Sequence, residues 1–228
     1  MIPIKDDNPH NIFPFVNYFL IGLNIVIWLY QVTLGPGEEK FVYTFAIIPY
    51  EITHHIDTVP LSPFPVYANI LFSMFLHGGL GHLLGNMLYL WIFGDNIEAI
   101  VGHGRYLVFY LVCGLGAAFA QIIFNRQSMV PMIGASGAIS GVLGAYLLRF
   151  PRAQVSVLFW IFIFIRVIKI PALYVLGFWF LMQLTSGLAV LGLGNASGGV
   201  AWFAHIGGFV CGFSLVSLFE LRHTRVWY

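Results

Sequence analysis

Charged side chains are nearly missing from this sequence. Asp, Glu, Lys and Arg make up 8% of its 228 residues, where a soluble domain carries about 25%. Hydrophobic residues make up 59% and the mean hydropathy is +0.87, so a water-soluble fold of this size could not hide the apolar surface. An integral membrane protein is expected. Cysteine is scarce too. Cys113 and Cys211 both lie in apolar runs, which excludes a disulfide framework and reads as two small packing residues. No cluster has metal-ligand spacing and there is no His-Glu-x-x-His, so neither a metal nor a cofactor is implied. The net charge is only +1, and nothing suggests nucleic acid or a polybasic surface patch. Linkers, repeats and low-complexity tracts are lacking, so residues 1–228 are expected to form a single membrane domain. Met1 to His10 is polar and no small-residue cleavage site follows the first apolar run, so no cleavable signal peptide is expected.

What remains is partitioned by its few charges. Phe15 to Leu34 is charge-free between Asp7 and Glu38, and Asp57 to Asp95 bound a second run with its apolar heart from Leu80 to Phe93. Tyr106 to Phe124 and Ile133 to Leu148 lie between successive arginines. The stretch between Lys169 and Glu220 has no charge, and the polar, Gly-rich Gly192–Gly199 divides it. A spanning helix needs about 20 apolar residues. Six spans are therefore expected, at about 15–34, 80–94, 106–125, 134–149, 170–191 and 200–219, in an all-α bundle. Val155–Ile165 is too short to cross and reads as an interfacial segment or an extension of the fifth helix. Lysines and arginines give the orientation. With a cytoplasmic N-terminus, Lys5, Arg105, Arg149, Arg152, Arg166, Lys169, Arg222 and Arg225 share one side, and only Lys40 and Arg126 lie opposite. Both termini are expected to be cytoplasmic. The loop at 35–79, rich in proline and aromatic residues, is then outside and partly folded into the interface.

Polar groups inside a bilayer are costly and mark functional positions. The second span opens with His82 and Asn86, the fourth with Gly134-Ala135-Ser136-Gly137, and the sixth with Ala204-His205. In the expected topology these three spans all run from outside to inside. Four polar residues from three helices thus fall at one depth beneath the outer face. His82 and Asn86, four apart, share a helix face. Gly137, Gly141 and Gly144 on one span and Ala204, Gly208 and Gly212 on another permit backbone contact, which would bring Ser136 to His205.

A serine needs a base to take its proton, and His205 is the good candidate from a neighbouring span. No acid is placed to complete a triad, since Asp95, Glu98 and Glu220 belong at the opposite helix ends. A Ser136–His205 dyad follows. The Ser136 amide at a helix N-terminus, the Asn86 side chain and a nitrogen of His82 would hold an oxyanion.

At His82-x-x-x-Asn86, Gly134-Ala135-Ser136-Gly137 and Ala204-His205 followed by Gly208-x-x-x-Gly212, the chain resembles the rhomboids, the intramembrane serine proteases. The resemblance runs over essentially the whole chain, in a six-helix basic form common in bacteria and archaea, with no extra helix or large cytosolic domain. It implies a serine endopeptidase of a prokaryotic cytoplasmic membrane, acting on transmembrane proteins in the lipid bilayer. Ser136 would be the nucleophile, His205 the general base, and His82 and Asn86 part of the oxyanion hole. It also implies a membrane-embedded first loop and a gate on the fifth helix, where Trp179 and Phe180 are the bulky candidates. Gly85 stands where some relatives have a bulky residue facing that gate. Ser140 stands where some have an aromatic under the catalytic histidine, which leaves open how His205 is held. The rival readings are a catalytically inactive relative that binds membrane proteins for quality control, and a histidine-lined transporter. His77 reads as structural or interfacial, and His54, His55 and His103 as solvated. Gln183 reads as an interhelical hydrogen-bond partner, and Asn195 and Ser197 as part of a loop over the site.

Overall fold

A computed structural model describes residues 2–9, 12–161, 164–193 and 200–221. Asn195, Ser197, Arg222 and Arg225, to which the sequence reading gave roles, lie outside the described residues. The chain opens with strand β1 (Ile2–Asp6), then helix α1 (Phe15–Thr33). The following loop carries three short helices, α2 (Glu38–Phe45), α3 (Pro49–His54) and α4 (Asn69–Phe72). The long helices α5 (Leu80–Val101) and α6 (His103–Phe124) and the shorter α7 (Ser136–Arg149) come next. Strands β2 (Gln154–Ile161) and β3 (Phe164–Pro171) lead into α8 (Ala172–Leu193) and α9 (Trp202–Phe219). The protein is mostly helical. Phe15–Thr33, His103–Phe124, Ala172–Leu191 and Trp202–Phe219 are long and apolar enough to cross a membrane.

Helix α7 has 14 residues, fewer than a lipid-exposed span needs. It does not face lipid: every residue from Gly137 to Tyr146 is buried. Its glycines are the reason. A methyl group on Gly208 of α9 would stand 2.0 Å from the Gly137 carbonyl oxygen, and one on Gly212 would stand 1.9 Å from that of Gly141. Gly144 in turn would meet the Phe209 carbonyl at 2.2 Å. The two helices therefore touch backbone to backbone along three turns, as small residues at every fourth position allow. Gly207 makes a similar approach to Ala120 on α6.

Two features depart from the sequence reading. Helix α5 runs on through Asp95 and Glu98 to Val101, where the charges suggested an end near residue 94. Glu98 is fully buried, and its carboxylate accepts the Val16 and Asn17 amides at 2.9 and 2.7 Å. It caps the first turn of α1 from a neighbouring helix, so a charge that looked like a boundary satisfies orphan donors at a helix N-terminus. The segment read as interfacial or as an extension of the fifth helix does not extend that helix: residues 155–161 and 164–165 are strand. It belongs to an antiparallel three-stranded sheet, ordered β1-β2-β3, with Val157 opposite Pro3 on one side and Ile168 on the other. Its β-branched run of Val155, Val157, Ile165, Val167, Ile168 and Ile170 suits a strand, and Val155 and Val157 are buried against the bundle. The Ala172 amide then donates to the Ala153 carbonyl at 2.8 Å, which fixes where α8 begins.

A further pattern went unread in the sequence. Asn17, Asn24 and Gln31 recur every seventh residue of α1, and each is fully buried. Asn17 donates to the Leu90 carbonyl and accepts from the Tyr106 hydroxyl at 3.0 and 2.9 Å. Gln31 clamps the His77 backbone through its amide and carbonyl, both at 3.0 Å. This polar stripe ties α1 to α5 and to the loop preceding it.

Candidate active site

Ser136 is the first residue of α7 and follows an irregular approach from Pro131 to Ala135. That approach turns at Gly134, whose φ is +117°, a conformation open to glycine and strained for other residues. Its amide donates to the Ser73 carbonyl at 2.8 Å. A methyl group at Gly134 would also meet the His82 ring, 2.8 Å from Nε2. One glycine therefore serves both the turn and the close approach of His82 to it.

His205, on the first turn of α9, places Nε2 2.8 Å from the Ser136 hydroxyl. Its other nitrogen, Nδ1, lies 2.8 Å from Oε1 of Gln183 on α8. The rings of Trp179 and Trp202 flank the imidazole at 5.9 and 6.3 Å. Ser140 does not touch His205 by any hydrogen bond: its hydroxyl turns back onto the Ser136 carbonyl at 2.6 Å, the local bond that serines favour inside helices. Gln183, which the sequence marks as an interhelical hydrogen-bond partner, thus takes the position beside His205 that Ser140 does not fill.

On α5, Asn86 is 8% exposed and its side-chain amide donates to His77 Nε2 at 3.0 Å. His77, read from sequence as structural or interfacial, is completely buried. It packs edge-on against His82, with ring centroids 5.1 Å apart. The Gly78 amide points at His82 Nδ1 from 3.4 Å, which leaves Nε2 as the protonated nitrogen of a neutral ring. Gln121 of α6 accepts the Ala204 amide at 3.1 Å and so pins the start of α9 beside His205. No sequence motif flags His77, Gln31 or Gln121; the one available signal was their polarity within or beside apolar runs.

His82, Asn86, Gln121, Ser136, Trp179 and His205 line one cavity of about 640 Å³. Phe180, the other suspected gate residue, stacks on Phe209 of α9 with centroids 4.2 Å apart. Cys113 and Cys211 are both free. Among the described residues no group of three His, Cys, Asp or Glu is placed to hold a metal ion. The cavity offers instead a hydroxyl on an imidazole, with amide and imidazole donors nearby, a set suited to acyl transfer.

Comparison with known proteins agrees with this arrangement at the level of family. The family model described as the Rhomboid domain matches residues 66–221, a stretch that holds the cavity-lining residues His82, Asn86, Ser136 and His205. "RHOMBOID-like protein 4" of Arabidopsis thaliana is 34% identical over 160 residues, 69% of this chain and 35% of that protein. "Rhomboid protease GluP" of Bacillus subtilis (strain 168) is 34% identical over 146 residues, 63% of this chain and 24% of its own length. "Rhomboid protein 1, mitochondrial" of Saccharomyces cerevisiae is 25% identical over 201 residues, 86% of this chain and half of the yeast protein. The chain spans about a third or less of the first two relatives, and the relatives come from a bacterium, a plant and a mitochondrion. With two thirds of its length inside the family model, the chain belongs to the rhomboid family and is a multi-pass integral membrane protein.

Proposed function

We propose that this protein is an intramembrane serine endopeptidase that cuts membrane proteins in or beside their transmembrane segments. The observation that carries the reading is the 2.8 Å contact between Ser136 Oγ and His205 Nε2 inside a cavity bordered by His82 and Asn86. The Ser136 hydroxyl donates to Nε2 and attacks the scissile carbonyl as His205 takes the proton. The negative charge on the carbonyl oxygen meets the second N–H of Asn86, the Nε2–H of His82 and the Ser136 amide, donors held in place before the reaction begins. His205 then returns its proton to the leaving amine, and water from the cavity releases the acyl group. We place the fold as six spans with both termini cytoplasmic, the whole of 1–228 as one membrane domain, and the cavity open to the outer face. We place the substrate gate on α8, where Trp179 lines the cavity and Phe180 stacks on Phe209 of α9. The substrates are transmembrane proteins whose helix unwinds near the outer face, since an intact helix shields its own carbonyls. In a bacterium the membrane would be the cytoplasmic one.

The test is covalent capture by a fluorophosphonate and cleavage of tagged single-span proteins in proteoliposomes. Wild type is expected to be captured and to cut, and Ser136→Ala to do neither. Equal behaviour of wild type and Ser136→Ala in both assays would leave the inactive, membrane-protein-binding reading in its place.

A further inference from the structure

A neutral imidazole carries a single N–H, and its partners decide which nitrogen bears it. His205 has two close partners of different kinds: the Ser136 hydroxyl at Nε2 and Gln183 Oε1 at Nδ1, each at 2.8 Å. An amide oxygen only accepts, so it demands the proton on Nδ1 and leaves Nε2 as the lone-pair nitrogen facing Ser136. The amide of Gln183 could in principle be turned over, with its NH₂ toward the ring. The opposite tautomer would then hold, and Nε2–H would confront the serine. One contact decides between the two orientations. Gln183 Nε2 donates to the Trp179 carbonyl at 3.2 Å, an acceptor one turn back on α8. Turning the amide over would set oxygen against oxygen there. Gln183 is 6% exposed, so water does not compete for either end.

We propose that Gln183 is a positioning residue for the reaction. Held by the Trp179 carbonyl, it fixes the tautomer and ring plane of His205, a task that a carboxylate performs in soluble serine hydrolases. The inference rests on the proteolytic reading of Ser136 and His205. A neutral amide suits this place, because an ionised carboxylate between membrane helices would need a charged partner. The stacking of Phe180 on Phe209 seats the same helix on α9 and so holds Gln183 at the distance His205 requires.

The experiment uses the full chain in proteoliposomes, with Gln183→Met to keep the length and remove the acceptor, and Gln183→Glu to keep the acceptor. Fluorophosphonate capture rate, kcat and KM are measured for both, with thermal unfolding to check that each is folded. For Gln183→Met, kcat and the capture rate are expected to fall roughly 10–100-fold, with KM within about two-fold of wild type. Gln183→Glu is expected to regain most of that loss as the neutral acid, kept protonated by desolvation between the helices, with its O–H replacing the amide donor to the Trp179 carbonyl and its C=O accepting from His205 Nδ1–H. A kcat for Gln183→Met within about two-fold of wild type, a loss confined to KM, or a Gln183→Glu as impaired as Gln183→Met would overturn the proposal. Should Gln183→Met not fold, Gln183→Leu is measured in its place against the same limits. A wild type that resists capture would overturn the protease reading itself, whereas capture of wild type and Gln183→Met at equal rates overturns only the role of Gln183.

Discussion

Asn86 has two amide hydrogens, and one of them is committed to His77 Nε2 at 3.0 Å. The other is free to meet an oxyanion, with its direction set by the first. Removing the donor and removing its guide should therefore differ in degree. Asn86→Ala is expected to lower kcat about 10²–10³-fold, the usual loss for one oxyanion donor, with KM little changed. His77→Ala should cost less in rate and more in stability, since it empties a fully buried ring position whose backbone Gln31 holds. Steady-state kinetics beside thermal unfolding of the two variants would check this order. Gly134 supplies a second test at the residue scale. Gly134→Ala forces a side chain onto φ +117° and into the His82 ring. It should abolish fluorophosphonate capture, while a substitution at Gly85, which has open space around its Cα, should not unfold the protein.

Helices α7 and α9 hold Ser136 and His205 at hydrogen-bond distance because nothing larger than glycine separates their backbones. Gly212→Ala places a methyl group 1.9 Å from the Gly141 carbonyl, and backbone cannot turn aside as a side chain can. The helices must part, at a cost of roughly 1–3 kcal/mol, and capture of Ser136 should weaken although the substitution lies two turns from His205. The sheet makes a different prediction. Asp6 of β1 accepts hydrogen bonds from Tyr146 of α7 and, at 3.0 Å, from Asn96 of α5. Burial raises its pKa to about 6 from the usual 3.8; the Tyr146 bond opposes the rise and nearby Asp95 adds to it. The folded protein thus binds a proton that the unfolded chain releases near pH 4. That contribution to stability is complete below about pH 4 and is lost as pH rises through 6. Thermal unfolding between pH 4 and 7 should show this decline, and Asp6→Asn should flatten it. These elements also show what the sequence could and could not disclose. The glycine rows announced the α7–α9 contact because backbone approach in lipid has a compositional signature. The strands and the buried Glu98 had none: short apolar runs suit a strand or a helix equally, and a charge in a membrane sequence looks alike whether it ends a helix or caps a neighbour. Gln183 was visible as a polar residue, but its partner depends on where α8 lies against α9, which no spacing along the chain records.

At the scale of the whole molecule, the proposed protease requires a cavity that opens toward the side from which substrates present an unwound segment, and the lysines and arginines bear on that orientation. Lys5, Arg105, Arg149, Arg152, Arg166 and Lys169 fall on β1, at the ends of α6 and α7, and on or beside strands β2 and β3, whereas Lys40 lies on α2 and Arg126 just past α6. Ser136 and His205 start α7 and α9, while Arg149 ends α7 and binds Glu220 just past the end of α9. The dyad and the Arg149–Glu220 pair therefore mark opposite ends of the same two helices. Cationic loops are retained in the cytoplasm, so the sheet should be inside and the α2–α3 loop, with the cavity mouth, outside. Single cysteines introduced at Lys5 and at Lys40, in a background with Cys113 and Cys211 replaced by alanine, report this directly in sealed right-side-out vesicles. A membrane-impermeant maleimide is expected to label the cysteine at position 40 in intact vesicles and the one at position 5 only after permeabilisation. The reverse pattern would turn the cavity toward the cytoplasm and require substrates to be cut from the inner face.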